Sequence, residues 1–84
     1  MRVVSIDSEP HGYLALAKDG EAARQWLIDT EWITEHSELW NEEEEQWHSL
    51  AELYGEEWMD KVLSFTDEQM EDLGFYLSWE EVFG

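Results

Sequence analysis

The chain contains no cysteine. A disulfide framework and a thiolate metal site are therefore excluded, which fits a reducing compartment. No apolar run approaches the ~20 residues of a membrane span. The opening "MRVVSID" also lacks the roughly 7- to 15-residue apolar stretch of a signal peptide. A cytoplasmic protein is expected. Basic residues are scarce: four Lys and Arg stand against 22 Asp and Glu, for a formal net charge of −18. A small domain ordinarily carries a net charge of magnitude about 2 to 8. A field of this sign repels nucleic acid and anionic membranes, and it steers basic surfaces inward. Direct contact with nucleic acid or membrane is not expected.

The imbalance is itself uneven. Residues 1–28 hold four acids against three bases, whereas residues 29–84 hold eighteen acids and only Lys61. Motifs for chemistry are missing as well. Glu45 and His48 form a single Glu-x-x-His, and a di-iron bundle needs two such motifs with further glutamates. There is no Asp-x-Asp-x-Asp-Gly calcium loop and no His-Glu-x-x-His. "DGEAARQ" has one glycine and is no phosphate loop. With so many carboxylates, some pair can always be drawn as acid and base, so that pattern carries no specificity. No enzymatic activity, metal or cofactor is expected.

What the chain does have is aromatic mass. Six Trp, three Tyr and three Phe in 84 residues are too many for a disordered segment. The length suits one domain, 1–84. "RVVSI" and "YLALA", separated by the turn-forming "DSEPHG", predict an antiparallel hairpin over about 2–17. Val4, Ile6, Leu14 and Leu16 are expected on one face, which a helix must cover. Asp19 as N-cap and the spacing of Ala23, Trp26, Leu27 and Ile33 predict a helix over about 19–33.

Three capping boxes follow in sequence: Asn41 with Glu44, Thr66 with Gln69, and Ser78 with Glu81. They predict helices over about 42–54, 67–73 and 79–83, with another over about 56–64. Gly55 and Gly74 stand where helices end, and "FYL" at 75–77 reads alternatively as a short strand. The predicted fold is a single compact α+β domain, mostly helical, in which an N-terminal β-hairpin packs against several short helices.

At ~100° per residue, a helix through this region sorts its charges. Trp40, Trp47, Ala51, Tyr54 and Trp58 fall on one apolar stripe if the helix continues past Gly55; core packing is the expectation for its tryptophans, with contact area and cation–π contacts to a partner's arginine as the alternative. Glu38, Glu42, Glu45, Glu52 and Glu56 fall opposite, while Glu43 and Glu44 flank the tryptophans. Favourable contact with the helix dipole accounts for acids in a first turn, and charge runs are often only solvated faces. Neither explains Glu52, Glu56, Glu57 and Asp60, nor a region almost free of lysine. The self-repulsion costs stability, so a partner that gains from the charge is expected.

Helical carboxylates three or four residues apart stand about 4.5 to 6 Å apart along the axis, near the spacing of successive phosphates on one strand. The sequence therefore predicts a nucleic-acid (DNA) mimic, a stoichiometric inhibitor of a basic nucleic-acid-binding protein. Its target would be a nuclease, restriction enzyme, CRISPR effector or transcription factor. The expected contact set is Glu38, Glu42, Glu43, Glu44, Glu45, Glu52, Glu56, Glu57 and Asp60. In size, charge and folding class the chain resembles the DNA-mimic inhibitors that phages and plasmids use against host defence, several anti-CRISPR proteins among them. That resemblance rests on no motif. Two other readings share the physics. One is an immunity protein or antitoxin covering a basic nuclease toxin, and the other is an acidic protein–protein adaptor.

Overall fold

A computed structural model describes residues 1–82. β1 (Arg2–Ser8) and β2 (Gly12–Ala17) form the expected antiparallel hairpin. The turn between them ends on Gly12, whose φ of 80° is the left-handed backbone that glycine adopts without a Cβ clash. The cross-strand register pairs Val4 with Ala17 and Ile6 with Ala15, then shifts between Ile6 and Asp7, which leaves Leu14 without a partner. Val4 and Ile6 are therefore backed by Ala15 and Ala17. Leu16 pairs with Ser5 and lies exposed on the other face, so the expectation that Leu16 shares a face with Val4 is corrected.

The third strand, β5 (Phe75–Glu81), runs antiparallel along the other side of β1, giving the order β2-β1-β5. This overturns the helix expected over 79–83, whose residue 83 lies outside the described residues. The Ser78–Glu81 box is not used, because main-chain pairing with β1 and the β-forming Tyr76 and Trp79 prevail over a local cap.

α1 (Gly20–Asp29) begins as read: the Asp19 carboxylate accepts the Ala22 amide at 2.8 Å. It stops at Asp29 rather than 33. Glu31 takes a positive φ of 62°, and the amides of Trp32 and Ile33 both donate to the Leu27 carbonyl. The chain thus doubles back, and Ile33 still reaches the core, fully buried.

The largest correction concerns residues 38–49. In place of a helix from 42, β3 (Glu38–Asn41) and β4 (Gln46–Ser49) form a separate two-stranded antiparallel sheet. The helix begins only at α2 (Leu50–Tyr54), capped by Ser49, whose hydroxyl accepts the Glu52 amide. Gly55 then breaks it into a 3-10 turn (Gly55–Glu57) followed by α3 (Trp58–Leu63). α4 (Asp67–Asp72) carries the Thr66–Gln69 capping box with both reciprocal bonds formed. Of the described residues 37% are helical and 34% strand, so the fold is α+β but not mostly helical.

The core lies between the three-stranded sheet and the helices. Ile6, Leu27, Ile33, Leu50, Val62 and Met70 are fully buried, with Phe65 and Phe75 at its margin. Burying such side chains stabilises by about 1.5 to 3 kcal/mol each before entropy is counted. Arg24 is the one charged residue in that interior. Its guanidinium donates twice to the Phe65 carbonyl, at 3.1 and 2.7 Å, and once to the Gly20 carbonyl at 2.8 Å. It thereby fastens α1 to the α3–α4 corner.

Candidate interaction surface

The four consecutive glutamates form the turn of the β3–β4 hairpin. Asn41 and Gln46 close it as a cross-strand pair. The Asn41 side chain accepts the Glu44 amide at 3.0 Å, so the local cap bond read from the sequence is real but closes one turn only. Glu45, at a φ of 51°, then leaves the helical region and redirects the chain into β4. A four-residue loop of this kind is a common hairpin connection. Glu42, Glu43, Glu44 and Glu45 are all exposed at the tip.

Strand alternation sorts the rest of the hairpin. Leu39 is buried against the body, and His48 lies opposite it. Trp40 and Trp47 face each other on the outer side, their ring centroids 5.4 Å apart in an edge-on arrangement. They remain 39% and 51% exposed. Glu38, paired with Ser49, shares that outer face. The single apolar stripe expected of a helix is thus divided. Tyr54 and Trp58 pack against the core, while Trp40 and Trp47 turn to solvent.

On the inner side His48 joins the turn to α2. Its Nε2 lies 2.7 Å from a Glu44 carboxylate oxygen, and its Nδ1 lies 3.3 Å from Glu52. The hydrogen bond to Glu44, seconded by that to Glu52, raises the His48 pKa above its ordinary 6.5. The same contact lowers the Glu52 pKa. The Glu45–His48 spacing noted in the sequence is therefore not the pairing made; the imidazole selects Glu44 and Glu52. Among the described residues no group of three or more His, Asp or Glu is disposed to hold a metal ion.

All nine expected contact residues are exposed. The structure gathers Glu38, the four turn glutamates and Glu52 around one hairpin. Glu56, Glu57 and Asp60 follow separately, on the 3-10 turn and α3. The continuous helical stripe with phosphate-like spacing does not exist, because its first half is a hairpin. Sequence reasoning also passed over Glu31 and Glu35, which line a shallow hollow around Trp58 and Met59.

Most of the exposed charge comes from residues 29–84, which hold eighteen of the acids. Every Asp and Glu except Asp7 and Asp19 is exposed, whereas the exposed cations are Arg2, Lys18 and Lys61. Arg2 is already engaged, its guanidinium 4.9 Å from the centre of the Trp79 ring. The molecule measures 46 × 23 × 19 Å. Its net charge of −18 over the long axis amounts to about one per 2.6 Å, some two thirds the linear density of duplex DNA at one per ~1.7 Å. No helix among the described residues is long and apolar enough to cross a membrane. Compared with protein-family models, with curated proteins and with solved structures, the chain matches none.

Proposed function

We propose that this protein is a stoichiometric, non-catalytic inhibitor that occupies the phosphate-binding surface of a basic nucleic-acid-binding protein. A nuclease, restriction enzyme or CRISPR effector is a fitting target, and a phage or mobile element is a fitting source. One observation carries the reading. An elongated, folded body exposes almost all of its acids beside three exposed cations, at a charge density approaching that of the duplex. Mimicry here is of the field and not of a phosphate ladder. The carboxylates are spread over a hairpin tip, a 3-10 turn and several helices, so the fit is redundant and no single acid dominates.

Redundancy has a kinetic side. Acids spread over several elements steer a basic partner from many approach directions, which favours fast association at low salt. The test is affinity capture from the native host at low ionic strength, repeated with saturating duplex DNA and with rising salt. A basic protein released both by the duplex and by salt supports the reading, since surface charges are screened within ~8 Å at physiological ionic strength. Capture that persists under saturating duplex DNA refutes it. Replacing Glu42, Glu43, Glu44 or Glu45 singly should change affinity little, whereas reversing all four to Lys should abolish capture.

A further inference from the structure

Among the described residues an arginine stacks on a tryptophan at one end of the three-stranded sheet, and the β3–β4 hairpin offers a similar tryptophan beside an acid without an arginine. At the far end of the three-stranded sheet, Trp79 and Glu81 are two residues apart on β5 and so share a face. Arg2 pairs with Glu81 in the register and stacks its guanidinium over Trp79 at 4.9 Å. On β3 the same two-residue relation recurs between Glu38 and Trp40. Opposite Glu38 stands Ser49 and opposite Trp40 stands Trp47, so this face has no cation. It is also open to solvent: Trp40 is 39% and Trp47 51% exposed, and Glu38 beside them is exposed as well.

We propose that the outer face of the β3–β4 hairpin receives an arginine side chain from the protein's basic partner. The guanidinium stacks on the open indole face of Trp47, the more exposed of the two rings, and donates to the Glu38 carboxylate. This deepens, and rests on, the reading of the protein as an inhibitor of a basic target. Three features favour arginine over lysine. Indole offers the strongest aromatic face to a cation, and a planar guanidinium can stack on it while still donating in its plane to a carboxylate. The edge-on geometry of the pair covers one ring face with the other ring's edge and leaves 51% of Trp47 open. The turn glutamates supply the surrounding negative field, so a cation arrives with its charge complemented before it is desolvated.

The arrangement separates two roles within one surface. The dispersed carboxylates attract any cation, whereas the tryptophan face distinguishes one kind of cation from another. The test uses hexa-arginine and hexa-lysine peptides of equal charge, titrated into the intact protein at low salt. The indole N–H signals of its tryptophans are followed by NMR. Hexa-arginine should shift the Trp40 and Trp47 signals selectively and bind about two- to fivefold more tightly than hexa-lysine, the range of an exposed cation–π contact. Trp47→Ala should remove that preference while leaving hexa-lysine affinity within about twofold. Because Trp47→Ala also loosens the hairpin, Glu38→Gln is the second variant. It keeps both indoles and should reduce the preference by itself.

Equal affinity for the two peptides, or shifts spread evenly over all six tryptophans, overturns the arginine site and leaves the inhibitor reading standing. Failure of both peptides to bind at low salt overturns the two together.

Discussion

Arg24→Ala is the substitution whose cost follows most directly from the structure. The side chain is buried, at 8% exposure, and its Nε and Nη2 both donate to the carbonyl of Phe65, itself 5% exposed. Truncation leaves that carbonyl without its guanidinium partner, at about 1 to 3 kcal/mol for a buried acceptor. The lost aliphatic stem adds about 1 kcal/mol of packing. The ion pair with Asp67 adds little, since the aspartate is 80% exposed and the contact measures 3.3 Å. The Gly20 carbonyl keeps its place at the first turn of α1, so its loss is modest. The sum is about 3 kcal/mol, against a whole-domain stability of about 4 to 13 kcal/mol for this length.

The assay is urea unfolding followed by tryptophan fluorescence, with far-UV circular dichroism to confirm that each variant starts folded. Arg24→Lys keeps the charge but loses the planar fork, and should fall between wild type and Arg24→Ala. Asp67→Asn should cost less than about 1 kcal/mol. The reasoning fails if Asp67→Asn costs as much as Arg24→Ala, because the contact would then be an ion pair and not a carbonyl anchor. It fails equally if Arg24→Ala costs under about 1 kcal/mol.

Glu45 holds a φ of 51° at the end of its turn, so Glu45→Gly should raise the urea midpoint, by about 0.5 to 1 kcal/mol of stability; a lowered midpoint refutes the strain. His48 is held above its ordinary pKa by Glu44 and then Glu52. Its contribution is complete below the unfolded value of about 6.5 and disappears as pH rises through the raised folded value. The stability gap between wild type and His48→Gln should therefore narrow on going to alkaline pH, and a constant gap from acid to alkaline pH would show that the clamp does not depend on charge. Self-repulsion among the exposed acids should be relieved by salt, so the melting temperature should rise from low to moderate ionic strength. An unchanged melting temperature would show that repulsion does not limit stability.

The features legible in the sequence were those decided locally. The first hairpin, the Asp19 cap of α1 and the Thr66–Gln69 box each depend on residues within a few positions of one another, and each formed. The Asn41 cap shows the limit of that logic. A cap bond to the Glu44 amide fits a one-turn loop as well as the start of a helix, and only Glu45 decides between them by leaving the helical region. A discriminating signal was present: in "WNEEEEQW" the tryptophans stand symmetrically about a four-residue loop, the pattern of a cross-strand aromatic pair. β5 was less accessible, because its partner β1 lies at the other end of the chain. Of the site, the exposure of all nine acids was legible from their charge, whereas their arrangement was not. Periodicity assumed one continuous helix where the chain makes a hairpin, a break at Gly55 and a second helix.

The position of β1 between β2 and β5 has a consequence for the order of folding. The β3–β4 hairpin closes over a handful of residues, but pairing Arg2 with Glu81 closes nearly the whole chain. The difference in loop-closure entropy is about 2 to 3 kcal/mol. The glutamate-tipped hairpin and the capped helices can therefore gain structure early, while the central sheet waits for its last strand. During synthesis on a ribosome, the edge of β1 that β5 will cover stays open until almost all of these residues have been made. The acids already made, all but Glu80 and Glu81, repel one such half-finished chain from another until that strand arrives.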